Sequence, residues 1–165
     1  IIFINQIMKS IIILLFALFT NCIVHSQTQI LKTFQAKVVG IKDGDTFKVL
    51  YNNSEITIRL NHIDCPEKKQ PFGKNAKWKA SELCFGKIVK IVSNGKKDRY
   101  KRLIAEVYFN NININKELVK NGLAWHFKKY SSDVEYAKLE RQARKSKVGL
   151  WQEKNPIAPW DWRKK

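Results

Sequence analysis

Between residues 36 and 63 the chain is built from short apolar and alternating runs separated by turn residues. Ala36–Ile41 is apolar and β-branched, and Asp43-Gly44-Asp45 supplies a turn. Thr46–Tyr51 alternates in places, Asn52-Asn53 marks a hairpin, and Glu55–Leu60 alternates cleanly. In that last run Ile56, Ile58 and Leu60 share one face, while Glu55, Thr57 and Arg59 share the other. Three strands joined by short turns make a meander.

After a loop bounded by Pro66 and Pro71 the period changes. Ala76, Ala80, Leu83 and Cys84 form an apolar stripe at helical spacing, which predicts a helix over about 73–85, stopped by Gly86. Strands are expected at 88–92 and 103–109, with a turn at Asn110-Asn111. A short helix is expected over 114–124, closing near Gly122, and a last one over 133–146, with Asp133 as its N-cap and Gly149 beyond its end. Five strands with a helix after the third fit an α+β fold dominated by a five-stranded barrel of the OB type, with three helices and one domain over about 33–163. OB barrels often bind nucleic acids and oligosaccharides, but the fold alone does not give a function.

Charge narrows the partner class. The chain of 165 residues carries 31 Lys and Arg against 14 Asp and Glu, a formal net charge of +17. Such a surface attracts polyanions, nucleic acid first and an anionic membrane second. Met8 and Lys9 precede an apolar run, Ile11–Phe19, followed by small and polar residues ending in Val24-His25-Ser26. This is the layout of a secretory signal peptide, with cleavage expected after Ser26. Residues 1–7 precede the single methionine, so translation from Met8 would leave them out. A lipoprotein anchor at Cys22 is the weaker rival, because Asn21 is bulkier than the small residue usually needed there. The apolar run is short for a membrane span. Residues 1–26 hold one base, Lys9, and no acid, so the remainder keeps 17 − 1 = +16. Secretion or a periplasmic location is expected, and with it an environment in which Cys65 and Cys84 either pair or stay as buried thiols.

Three segments concentrate chemistry: Asp43–Thr46, Arg59–Glu67 and Asp98–Arg102. Asp45 opens one strand and Asp64 closes another, so adjacent strands could bring both carboxylates to one barrel end. A hard divalent cation would relieve their repulsion, and calcium prefers such oxygens. His62 and the cysteines lack zinc-ligand spacing. Pro66 directs the chain after Asp64, so that Glu67 can share the rim and act as a base toward water. Arg59 and Arg102 have the paired donors that match a phosphodiester's transition state. Taken singly, each of these residues has an ordinary surface or turn explanation.

Together the segments Asp-Gly-Asp-Thr (43–46), Arg-Leu-x-x-Ile-Asp-x-Pro-Glu (59–67), Asp-x-Tyr-x-Arg (98–102) and Asn-Gly-Leu-Ala (121–124) resemble the staphylococcal nuclease (thermonuclease) family in order and spacing. The similarity runs from about Ala36 to Trp151, and the tail through Trp160 and Trp162 resembles secreted or plasmid-borne bacterial members. The resemblance implies a calcium-dependent phosphodiesterase that cuts DNA and RNA and leaves 3′-phosphates. It implies calcium ligands at the side chains of Asp45 and Asp64 and the carbonyl of Cys65, with Asp43 in an outer shell reached through water. Arg59, Glu67 and Arg102 match catalytic positions. Arg99, Tyr100, Lys128 and Tyr130 fall at substrate-binding positions; Lys128 stands where the prototype has a tyrosine, and the loop after Glu67 is shorter. Trp160 and Trp162 are expected to anchor the tail, and His126 is given no role. The chain is expected to be monomeric. Two rivals differ in class: a catalytically inactive nucleic-acid-binding module of the same fold, and a basic envelope-surface protein that binds lipid.

Overall fold

The computed structural model describes residues 32–164. The expected signal segment and Cys22 lie outside the described residues. Among those described, no helix is long and apolar enough to cross a membrane.

The meander is present. Strand β1 (Lys32–Asp43) pairs antiparallel with β2 (Thr46–Tyr51), which pairs with β3 (Ser54–Leu60). Asn52 and Asn53 both adopt positive φ, 47° and 59°, as a two-residue hairpin matched to strand twist requires. β4 (Ile63–Asp64) follows at once, then helix α1 (Gly73–Cys84), β5 (Ile88–Ser93), β6 (Leu103–Phe109) and β7 (Ile112–Asn113). Helix α2 (Ile114–Lys120), β8 (Trp125–His126) and helix α3 (Val134–Lys145) complete the body. Asp133 caps α3 by accepting from the backbone N–H of Glu135 and Tyr136.

Closure makes the barrel. β1 is longer than its apolar stretch indicated because its first half pairs with β5, from Lys32↔Ser93 to Lys37↔Ile88, and its second half with β2. β5 pairs with β6, and β6 returns parallel to β3 through Ile58↔Leu103, Arg59↔Ile104 and Leu60↔Ala105. β1, β2, β3, β6 and β5 thus close on themselves and leave no free edge. Val38, Phe47, Val49, Ile58, Leu60, Val89, Ile91 and Val107 fill the interior. α1 seals it with Ala76, Ala80 and Cys84, small enough for the helix to lie close against the core.

The helical part departs from expectation in two ways. α2 ends at Lys120 rather than near residue 124, because Asn121–Gly122 turn the chain into β8. The tail adds a 3₁₀ turn (Gly149–Gln152) and a one-turn helix, α4 (Pro159–Trp162), so the α-helices among the described residues number four. A second apolar cluster of Trp125, Ala143, Leu150, Trp151 and Ala158 holds this tail. Trp160 anchors it further, stacked on Phe127 with centroids 5.2 Å apart. Cys65 and Cys84 are both buried free thiols. Cys84 donates to the Ala80 carbonyl, and burial pushes its pKa up to about 12.

The junction between Glu67 and α1 is the tightest backbone approach near the rim. A Cβ on Gly73 would come within 1.9 Å of the Glu67 carbonyl oxygen. Gly73→Ala is therefore expected to destabilise the protein by about 1–3 kcal/mol through overpacking, read as a lowered denaturant midpoint with unchanged slope.

Candidate active site

One end of the barrel gathers the chemistry because three strands meet there. Thr46 at the start of β2 is the register partner of Arg59 near the end of β3. Arg59 is in turn the partner of Ile104, so Arg102 arrives at the same rim immediately before β6. β4 lies just past β3 and carries Asp64. The Asp45 carbonyl accepts from the Leu60 N–H at 2.9 Å, which ties the turn between β1 and β2 to the end of β3.

Arg59 is the hub. Its Nη1 donates to the carbonyls of Leu60 (2.7 Å) and Ile63 (2.9 Å), which fixes the guanidinium against the strand end. Its Nη2 reaches Asp64 Oδ1 at 2.8 Å and Asp45 Oδ2 at 3.3 Å. Both aspartates are buried, so the two carboxylates converge on one nitrogen. Burial works against the Arg59 charge, but Asp45 and Asp64 outweigh it and raise its pKa above the ordinary arginine value. Burial is also the largest influence on Asp64; it raises the carboxyl pKa against the opposing pull of Arg163 and Arg59.

Asp45 is held on all sides. Its Oδ2 accepts the Cys65 N–H at 2.7 Å, and its Oδ1 accepts the Thr46 hydroxyl at 3.2 Å. The backbone of Cys65 therefore lies directly against this carboxylate. Gly44 makes the approach possible: a Cβ there would sit 2.7 Å from Ala76 Cβ and 2.9 Å from Cys65 Sγ. Asp43 accepts the Asp45 N–H, and burial followed by the Asp45 charge raises its pKa to about 6.

Arg102 joins the same network. Its Nε donates to Asp98 Oδ2 at 2.7 Å and its Nη1 to the Thr46 hydroxyl at 3.0 Å. Thr46 thus links Arg102 to Asp45, a role the Asp-Gly-Asp-Thr segment contained but spacing did not reveal. Glu67 stands half-exposed at the rim; its N–H donates to Gln70 Oε1, and its carboxylate accepts from Arg163 at 2.7 Å. Arg163 also donates to Asp64 Oδ2 at 2.7 Å. Neither Gln70 nor Arg163 carried any signal in local spacing, since Arg163 reaches back across 96 and 99 positions and Gln70 joins its neighbour Glu67 to Ile157, 87 positions on.

The expected substrate-binding positions divide. Tyr100 is 63% exposed, with the Arg99 and Arg102 guanidiniums 4.8 and 5.4 Å from its ring centroid. Tyr130 is 68% exposed and packs edge-on against Phe127, just beyond β8, the partner strand of β4. Lys128 instead reaches Glu140 on α3, at 3.4 Å. His126 is buried and bonded to Ser131, in keeping with a structural histidine. Alongside Asp43 lies a cleft of about 510 Å³ lined by Lys42, Lys68, Lys74, Lys77 and the exposed Trp78.

The donor set fits a hard cation. Its reachable atoms are carboxylate oxygens with a backbone segment beside them, and two guanidiniums already serve the same carboxylates as counter-charges. Among the described residues, no three acidic, His or Cys side chains form a cage by themselves. A cation here would rely on two carboxylates together with carbonyl and water oxygens.

Residues 57–153, the stretch holding Arg59, Asp64, Glu67 and Arg102, match the family model described as "Staphylococcal nuclease homologue". The chain belongs to this family. Among its staphylococcal nuclease relatives, an "Uncharacterized endonuclease" of Haemophilus influenzae is 39% identical over 97% of this chain and 86% of its own length. A "Micrococcal nuclease" of Shigella flexneri is 36% identical over 79% of this chain and 81% of its own. A "Probable staphylococcal-like nuclease CAN2" of Oryza sativa is 39% identical over 78% of this chain but only 33% of its own length.

The charge state of Asp43 gives a stability test. A carboxyl whose folded pKa is about 6 binds its proton more tightly in the native state than in the unfolded chain. Its contribution to stability falls as pH rises from its unfolded value, roughly 4, through 6. Asp43→Asn is expected to remove that component and to raise metal-free stability at pH 7 but not at pH 4, measured by denaturant unfolding at both values.

Proposed function

We propose that this protein is a calcium-dependent nuclease that hydrolyses phosphodiester bonds in DNA and RNA and leaves 3′-phosphates. The observation that carries the reading is the joint placement of Asp45, Asp64, Glu67, Arg59 and Arg102 at one barrel rim, within a chain of the staphylococcal nuclease family. Relatives named as endonuclease and micrococcal nuclease support the reaction class.

Asp45 and Asp64 would hold the calcium with the Cys65 carbonyl, and Asp43 would act through water. The chemistry such an ion would supply is positive charge beside the phosphate and easier deprotonation of a nearby water. Glu67, half-exposed at the rim, accepts the proton from the attacking water. Arg102 would present its remaining guanidinium donors to the phosphate as charge builds on its equatorial oxygens. Arg59, whose Nη atoms face Leu60, Ile63, Asp64 and Asp45 before substrate arrives, would turn Nη2 to it once those carboxylates serve the metal. Their bonds to Asp64, Asp45, Asp98 and Thr46 hold them in place before substrate arrives. Tyr100 and Tyr130 offer exposed rings on which bases can stack without sequence preference. Arg99 adds positive charge beside Tyr100, and Lys128 would contribute to substrate binding only by leaving Glu140. The protein acts as a monomer, exported to the periplasm or beyond after cleavage near Ser26.

The inactive-module rival requires lost metal or catalytic groups, and all five expected side chains are present. Digestion of plasmid DNA and of RNA, with calcium and with a chelator, tests the reading. Full-rate cutting under chelation removes the metal assignment, whereas tight binding without cutting in calcium hands the case to the binding module.

Asp45→Ala and Asp64→Ala are expected to abolish cutting. Arg59→Lys, Arg102→Lys and Glu67→Gln should each lower turnover by roughly 100-fold or more while still binding a single-stranded oligonucleotide. Lysine keeps the charge but lacks the paired donors. Turnover and oligonucleotide affinity, measured on variants shown to fold, separate the two effects; near-normal cutting by the lysine variants would take the arginines out of the mechanism. Affinity should fall with salt, by about 0.7 log units per log unit of salt for each phosphate contact on a single strand.

A further inference from the structure

The tail after α3 delivers an arginine into the centre of the site. Arg163 caps the one-turn helix α4, its N–H bonded to the Pro159 carbonyl at 3.0 Å. Its guanidinium forks across two carboxylates: Nη2 to Asp64 Oδ2 and Nη1 to Glu67 Oε1, each at 2.7 Å. The segment bearing it is well anchored. Ala158 and Pro159 are buried, Trp160 is stacked on Phe127 and edge-on to Trp125, and the Ile157 carbonyl accepts from Gln70 Nε2 at 2.6 Å. Gln70 also accepts the Glu67 N–H through its Oε1. The tail and the Glu67 loop are therefore clamped together twice, once through Gln70 and once through Arg163.

We infer that Arg163 is a positioning residue of the active site: it aims the Glu67 carboxylate at the reacting water and, by occupying Asp64 Oδ2, competes with the metal. The inference rests on the reading of Asp64 as metal ligand and Glu67 as base.

Two consequences of opposite sign follow from the geometry. Glu67 has rotatable bonds and a half-exposed head, and Arg163 supplies the ion pair that selects one orientation. Losing Arg163 lets the carboxylate wander, and a misplaced base lowers turnover even with the metal site full. Asp64, by contrast, has both oxygens engaged by guanidinium, Oδ1 by Arg59 and Oδ2 by Arg163. Losing Arg163 frees Oδ2 and removes a positive charge beside the cation, so the metal binds more tightly. A merely structural prop would, on removal, weaken binding and turnover together.

The test is Arg163→Gln in the full chain, compared with the unmutated protein. Calcium affinity is measured by calorimetric titration without substrate, and single-turnover cleavage of an oligonucleotide is measured at saturating calcium. Thermal unfolding confirms that each variant folds. The expected result is a fall in the cleavage rate by about tenfold or more, with a lower calcium dissociation constant. Arg163→Lys keeps the charge without the fork, so its cleavage should be slow like the glutamine variant while its calcium affinity stays nearer to the unmutated value. Lys164→Gln removes a neighbouring charge that pairs with Asp161 and should change neither reading.

Parallel loss of affinity and rate, a normal rate in both Arg163 variants, or an equal calcium shift in Lys164→Gln overturns the role of Arg163. Should the unmutated protein neither bind calcium nor cut in its presence, the reading of the site itself fails, which is a distinct result.

Discussion

Two carboxylates buried side by side need a cation between them, and Arg59 supplies it. Asp45 comes from the turn between β1 and β2 and Asp64 from β4, and each alone would be costly to bury with its charge. The guanidinium that joins them is itself fixed by two backbone carbonyls at the end of β3. That geometry exists only because the barrel closes: Arg59 is flanked by Thr46 of β2 on one side and Ile104 of β6 on the other. Strand pairing, the Gly44 turn and the packing of Cys65 against Asp45 all serve the same point. If β3 and β6 were to slip by one residue, Arg59 would exchange faces with a core position, and both the ion pairs and the core would be lost.

The electrostatics work on two length scales. The whole chain is strongly basic, which favours the approach of a polyanion. The rim itself concentrates Asp43, Asp45, Asp64 and Glu67, and burial, followed by the Asp45 charge, raises the pKa of Asp43. A phosphate drawn in by the general surface would meet local negative charge there. On the proposed reading a divalent cation resolves this conflict, since it satisfies the carboxylates and the phosphate together. Arg59 and Arg163 neutralise these carboxylates in the metal-free protein, and on that reading they occupy lone pairs that a cation would need.

Local pattern sufficed where the physics is local. Alternation from Glu55 to Leu60 placed β3 correctly because each side chain's face depends only on its immediate neighbours in sequence. Asparagines at 52–53 and at 110–111 marked turns because those positions require positive φ. The motifs around Asp45, Arg59, Glu67 and Arg102 were legible because their residue types and order resemble the staphylococcal nuclease pattern, and the stretch that matches the family model, 57–153, holds the last three. The length of β1 was not legible: its first residues are stabilised by β5, 51 to 61 positions away, rather than by their own pattern. The small helix α4 likewise follows from what its segment packs against.

The sequence by itself determined the barrel strands, the sealing helix, the basic character and the residue types available for chemistry. Each of these is set by period, turn propensity or composition over a few neighbouring residues. Only the tertiary structure decided which groups share a hydrogen bond: Thr46 between Asp45 and Arg102, Gln70 between Glu67 and the tail, and Lys128 on Glu140. It also left Cys65 and Cys84 as separate thiols. Arg163 is the clearest case, since it lies 99 positions from Asp64 and no local spacing relates them. Contacts of that kind depend on where closure of the barrel and burial of the tail's aromatic residues bring distant backbone together, and that is a property of the whole fold.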